Sequence, residues 1–133
     1  LMSMTDPIAD FLTRIRNASR ANFATVDIPE SGLKLNLTRV LLREKFISKY
    51  IRIRDGKQGL IRIFLKYTAE GESVIENLQR VSKPGRRVYF ACNKIPRVLN
   101  GLGVMILTTP KGVLSDYNAR RMNVGGEPLC VIW

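Results

Sequence analysis

Two hydroxyls, a proline, a lysine and a glycine stand in succession at Thr108-Thr109-Pro110-Lys111-Gly112, with Gly125, Gly126 and Glu127 a short way downstream. These residue types suit recognition of a polyanion. Hydroxyls donate to phosphate, ribose or base edges, Lys111 supplies charge, Pro110 restrains the backbone, and Gly112 lets the main chain come close to a ligand. An ordinary strand-to-helix turn capped by a threonine draws on the same residues, so the pentapeptide alone leaves both readings open. A second cluster, Lys83-Pro84-Gly85-Arg86-Arg87-Val88-Tyr89, sets cations beside an aromatic that can stack on a base or donate its hydroxyl. Its alternative is a turn leading into a strand with Tyr89 half-buried. The bare backbone of Gly125 and Gly126 admits RNA or neighbouring strands, and Glu127 beside them is read as holding the loop's own amides.

Stepping outward from these residues, Val104-Met105-Ile106-Leu107 has the continuous apolar character of a strand buried on both faces, and it mounts the pentapeptide on the core. Asp6-Pro7 starts a helix in which Ile8, Phe11, Leu12 and Ile15 repeat at helical spacing. That stripe leaves Arg14, Arg16, Asn17 and Arg20 for a partner or for water. Thr25 to Pro29 reads as a strand, Glu30-Ser31-Gly32 as a turn, and Lys34 to Lys45 as a second helix with Leu35, Val40, Leu41 and Leu42 for the core. Alternation in Tyr50–Arg54 and Leu60–Tyr67 across Asp55-Gly56-Lys57-Gln58-Gly59 predicts an antiparallel hairpin. Beyond it, Val74–Val81, Arg87–Phe90, Val104–Thr108 and Glu127–Trp133 are expected strands, Pro96–Asn100 a helical turn, and Ser115 or Asp116 the cap of a short helix through Met122. The fold expected is α+β in two small lobes packed together: an α-β-α-β-β lobe over residues 1–68, and a mainly β lobe with a short helix over 69–133.

The composition narrows the function. Hydrophobic residues make up 45% of the chain, enough for a real core, while 22 Lys and Arg against 11 Asp and Glu give a formal charge of +11. Nucleic acid is the leading partner class for such an excess, which is spread over both halves. An anionic membrane is the other electrostatic option, but there is no long apolar span, signal peptide or basic amphipathic helix with an aromatic face. Cys92 and Cys130 lie far apart and there is no histidine, which argues against a zinc site of usual spacing and predicts a reduced core thiol at Cys130. Nucleotide-binding loops, nucleophile elbows and clustered carboxylates are missing, so the expectation is a protein that is not an enzyme and uses no cofactor, metal or small-molecule substrate.

Several ungapped blocks resemble one family in the expected order. They are Asp6-Pro7-Ile8-Ala9-Asp10 with Leu12-Thr13-Arg14-Ile15-Arg16-Asn17, Arg80-Val81-Ser82-Lys83-Pro84-Gly85, Arg87-Val88-Tyr89, Ile95-Pro96-Arg97-Val98-Leu99 and Gly101-Leu102-Gly103, and the run from Leu107 through Val113, Asp116, Ala119-Arg120 and Val124-Gly125-Gly126-Glu127 to Leu129-Cys130. Together they cover essentially the whole chain and resemble bacterial-type small-subunit ribosomal protein S-eight. The resemblance implies a primary binder of the central domain of small-subunit rRNA that acts early in assembly of the platform and represses its own operon's mRNA. It also implies a place in the small ribosomal subunit of a bacterial cytoplasm or an organelle, with S-five as the leading protein neighbour and S-two, S-twelve and S-seventeen as others. Thr108, Thr109, Lys111 and Gly112 fall on the family's contact loop, where Thr108 replaces the usual serine and Pro110 stands where some members have serine. Ser31 and Lys34 match a basic patch in which Gly32 replaces a frequent lysine. Two rivals remain: a free-standing double-stranded RNA module confined to the N-terminal lobe, and an RNA-processing enzyme dependent on carboxylates or Lys111.

Overall fold

The computed structural model describes residues 6–133, so the first five residues of the expected N-terminal lobe lie outside it. Helix α1 spans Pro7–Arg20 and begins as its first residues dictate, with the Asp6 carboxylate accepting from the Ala9 amide at 3.2 Å. Ile8, Phe11, Leu12, Ile15 and Ala18 form its buried stripe. Strand β1, Thr25–Pro29, is followed by helix α2, Gly32–Arg43. Ser31 caps α2 by accepting from the Lys34 amide, so the helix starts two residues earlier than the periodicity predicts. It also stops earlier, because Lys45 adopts a left-handed φ of 68°. Leu35, Leu37, Val40 and Leu41 are the buried residues of its apolar face; Leu42, expected in the core, points out, and Leu37 is fully enclosed.

Strands β2, Ile47–Ile53, and β3, Leu60–Leu65, form the expected hairpin, and β1 joins it to give a three-stranded antiparallel sheet in the order β1-β3-β2. The connecting loop closes on Asp55, whose carboxylate accepts from the Lys57 and Gly59 amides at 2.9 and 3.0 Å. Every second residue of β3, Ile61, Ile63 and Leu65, is buried.

The second sheet is built from β4, Leu78–Arg80, β5, Val104–Thr109, β6, Gly112–Ser115, and β7, Glu127–Ile132, all antiparallel, in the order β4-β7-β5-β6. Helix α3, Asp116–Arg121, follows β6, capped by the Ser115 hydroxyl at 3.2 Å from the Asn118 amide. Its first residue, Asp116, is only 5% exposed, accepting from the Met105 amide and pairing with Arg120 at 2.9 Å. Ile95, Met105, Leu107, Leu114 and Ala119 make a core cluster here.

Three expected elements differ. Of Val74–Val81 only Leu78–Arg80 is a strand, paired with β7; upstream, the Val74 amide goes to the Lys66 carbonyl and the Ile75 amide to the Ser73 hydroxyl, which keeps that stretch off the second sheet. Arg87–Phe90 is not a strand: the Val88 amide goes to the Ser82 hydroxyl, and Phe90 bridges Gly126 alone. The helical turn near Pro96 is instead a 3-10 segment, Val98–Gly101, in which Leu99 and Asn100 hold left-handed dihedrals. By contacts the described residues divide into two compact units, Phe11–Glu76, and residues 6–10 together with Asn77–Trp133. Residues 69–76 thus group with the first sheet, held by the Tyr67–Ser73 bridge and a bond from the Val74 amide to the Lys66 carbonyl. The start of α1 groups with the second, where Asp6 pairs with Arg80 at 3.0 Å.

Candidate nucleic-acid interface

Thr108-Thr109-Pro110-Lys111-Gly112 is neither a strand-to-helix turn nor a loose loop. It is the tip of the β5–β6 hairpin, with Thr109 paired to Gly112 and Pro110-Lys111 as the two residues between. The Thr109 hydroxyl accepts from the Lys111 amide at 3.0 Å and donates to the Gly112 carbonyl at 2.8 Å, so it builds the turn. Gly112 takes a φ of 110°, which a residue with a side chain rarely adopts, and this closes the hairpin. Pro110 and Lys111 are left exposed at the tip, and Thr108, one residue back, keeps a hydroxyl that no hydrogen bond among the described residues engages.

The Gly125-Gly126 pair explains how this tip meets the other candidate cluster. A Cβ on Gly126 would collide with the carbonyl oxygen of Thr108, and one on Gly125 with that of Phe90. Only bare backbone fits between these two segments. Gly126 exchanges both backbone hydrogen bonds with Phe90 at 3.0 Å, and the next residue, Glu127, pairs with Thr108. Neighbouring chain thus fills the space beside the glycines, and the segment holds residues 86–90 along one side and the β5–β6 tip along the other.

Glu127 binds side chains in place of the amides expected of it. Its carboxylate accepts from the Ser82 hydroxyl at 2.6 Å and from the Arg87 guanidinium at 2.9 Å. Burial alone would raise its pKa, but these bonds and the Arg87 charge outweigh it and hold the carboxyl below its ordinary 4.5. Ser82 also accepts from the Val88 amide, so one carboxylate anchors the turn in which Lys83 and Arg86 bond each other's backbone. Arg86 and Tyr89 then face solvent, with Tyr89 67% exposed and its phenol without a partner among the described residues.

Four other candidates belong to the unit Phe11–Glu76. Arg14 and Asn17 are exposed on α1, three residues apart and so on one face. Ser31 and Lys34 sit at the start of α2, where the Ser31 hydroxyl is the cap and Lys34 is only 8% exposed, its ammonium 3.4 Å from the Pro29 carbonyl. Sequence reasoning missed Tyr117, exposed on α3 with Arg121 stacked 5.8 Å from its ring centre. The spacing Tyr-x-x-x-Arg on a short capped helix was the available signal. Both cysteines are free, and burial pushes the Cys130 thiol up to about 12, as suits a core residue. Among the described residues no cluster of His, Cys, Asp or Glu has the makings of a metal site, and no helix is long and apolar enough to cross a membrane.

Fold and surface together define a small, strongly basic α+β protein whose second sheet ends in an edge of open cations, an open phenol and a rigid hydroxyl-bearing hairpin. Comparison with known proteins makes this particular. The family described as Ribosomal protein S8 matches residues 6–133. The chain is 58% identical over 132 residues to the small ribosomal subunit protein uS8 of Clostridioides difficile, covering 99% of this chain and 100% of that one. It is 57% identical to the proteins of the same name from Thermodesulfovibrio yellowstonii, covering 98% and 99% of the two chains, and Geobacter sulfurreducens, covering 99% and 100%. The chain belongs to the ribosomal protein S8 family, whose members are structural and not enzymatic.

Proposed function

We propose that this chain is a structural component of the small ribosomal subunit that binds the central domain of small-subunit rRNA with the edge described above. The observation that carries the reading is convergence: segments about twenty residues apart, at 86–90 and 108–112, are held on either side of Gly125-Gly126-Glu127. Lys111 and Arg86 supply phosphate contacts, Tyr89 a stacking or hydroxyl contact, and Thr108 with the exposed backbone at Gly112 reads the groove. Pro110 and Thr109 set the shape of the tip, while Glu127 sets Arg87. The N-terminal unit adds a second, less specific contact through Arg14 and Asn17 of α1; Ser31, as the cap of α2, and Lys34, buried against the Pro29 carbonyl, shape the start of that helix and do not reach RNA themselves. Placement on the central domain gives an early role in building the platform beside S-five, with S-two, S-twelve and S-seventeen as further neighbours. The same edge, meeting an mRNA of similar shape, represses the chain's own operon.

A regular duplex presents phosphates in plenty but not an irregular, widened groove. Affinity for a central-domain rRNA hairpin, compared with a regular duplex of equal length across a salt series, therefore tests the reading. The hairpin is expected to bind more tightly, with the preference lost when Thr108, Thr109 and Lys111 become alanine, at about 1–3 kcal/mol per well-formed contact. Equal affinity for both RNAs contradicts it.

A further inference from the structure

The three-stranded sheet has two unlike faces. On one, Ile28 and Ile61 pair, Ile63 stands opposite both Val26 and Tyr50, and Ile28, Ile61 and Ile63 are fully buried. Tyr50 on this side meets Arg39 of α2. The alternate residues make three rows on the other face: Thr25, Phe64, Lys49; Asp27, Arg62, Ile51; and Pro29, Leu60, Ile53. None of the nine is buried, and Ile51 is 41% exposed.

A sheet face left to water alternates polar residues outward. This one turns out Pro29, Leu60, Ile53, Ile51 and Phe64 instead. Its one carboxylate, Asp27, is held by Arg62 at 2.8 and 3.0 Å, so the pair adds no net charge. Lys49 remains, and exposed Arg54 and Lys57 follow β2 in the loop, outnumbering the one carboxylate between them, Asp55, which accepts from the loop's own Lys57 and Gly59 amides. The face is thus aliphatic with a basic border.

We propose that this face docks a neighbouring protein of the small subunit, through an element that offers aliphatic side chains bordered by carboxylates; the proposal rests on the reading that the chain is a component of that subunit. RNA fits poorly. Phe64, the one aromatic of the nine, carries the Lys49 ammonium 4.6 Å from its ring centre, and aliphatic side chains neither stack on a base nor bond its edges. A second copy fits poorly too, because two chains of charge +11 would meet through positive borders. The face spans on the order of 200 Å2, well short of the roughly 800 Å2 that each partner gives a stable pair. Docking is therefore weak in isolation and holds where other contacts of the assembly bring the two proteins together.

The test titrates each purified small-subunit protein in turn into the isotope-labelled full chain and follows its backbone amides by NMR. One protein is expected to move the amides of residues 49–53 and 60–64, with binding that weakens as salt rises. Ile51→Asp is expected to weaken that binding about tenfold or more. Arg54→Glu, which leaves the apolar rows intact, should weaken it as well and keeps the test alive if Ile51→Asp does not fold. The proposal is overturned if no small-subunit protein moves these amides. It is equally overturned if a central-domain rRNA hairpin moves them, or if raising the chain's own concentration does. Hairpin affinity measured on the same samples separates the two readings: retained affinity without docking removes this proposal alone, and docking without affinity removes the RNA reading alone.

Discussion

The arginines on the strands of the first sheet and the cations at one end of the second are treated differently; Lys49, Arg54 and Lys57, beside the first sheet, have no ion-pair partner among the described residues. Around the three-stranded sheet, Arg62 is held by Asp27 and Arg52 by Glu30, the latter at 3.0 and 2.5 Å, and both carboxyls are held below their ordinary values mainly by the hydrogen bonds from those arginines. At the β5–β6 end of the second sheet, Lys83, Arg86 and Lys111 have no carboxylate partner among the described residues, and the one acid present is used to orient Arg87. A cation answered within the fold shapes the fold. One left unanswered, on backbone held rigid by a carboxylate and two glycines, is available to a polyanion without prior cost of breaking an ion pair.

That contrast is broken most severely at Gly126. Gly126→Ala drives a methyl into the Thr108 carbonyl and is expected to lose about 1–3 kcal/mol of stability in urea unfolding, with hairpin affinity falling as the tip shifts. Tyr89→Ala comes next. It is expected to leave the urea midpoint unchanged and to lose about 1–3 kcal/mol of affinity for rRNA, the worth of one stacked base.

Glu127 sharpens the comparison through pH. Its carboxyl titrates below 4.5 in the fold, so the stability it contributes is complete above that value and is lost as pH falls through the depressed one. Glu127→Gln should remove that acid dependence, read as a flatter urea midpoint between neutral pH and the carboxylate range. The smallest effect is expected at Arg62→Ala, which breaks an exposed pair: a slight fall in the urea midpoint and unchanged rRNA affinity.

Much of the fold was legible because local chemistry agreed with the final contacts. Asp6-Pro7 and Ser115 announced helix starts that the structure keeps, and alternation on either side of Asp55–Gly59 announced the β2–β3 hairpin. Strand β6 was missed because Gly112-Val113-Leu114-Ser115 is too short to show a period, and its place is set by pairing with β5. The opposite error arose at Arg87–Phe90, whose β-forming residues have no strand to pair with and are held by Ser82 and Gly126. The candidate residues were legible as types and not as roles. That the Thr109 hydroxyl is used within the turn, and that Glu127 holds Ser82 and Arg87, depends on contacts between distant segments that no local pattern encodes.

The central claim is that residues 86–90 and 108–112 form one RNA-binding surface. Titrating the central-domain rRNA hairpin into the isotope-labelled full chain and following backbone amides by NMR tests it most directly. The account predicts that amides at 86–90, 108–112 and 125–127 shift together with one midpoint, while those at 49–53 and 60–64 stay in place. Shifts in only one of the two segments, or two separate midpoints, would contradict it.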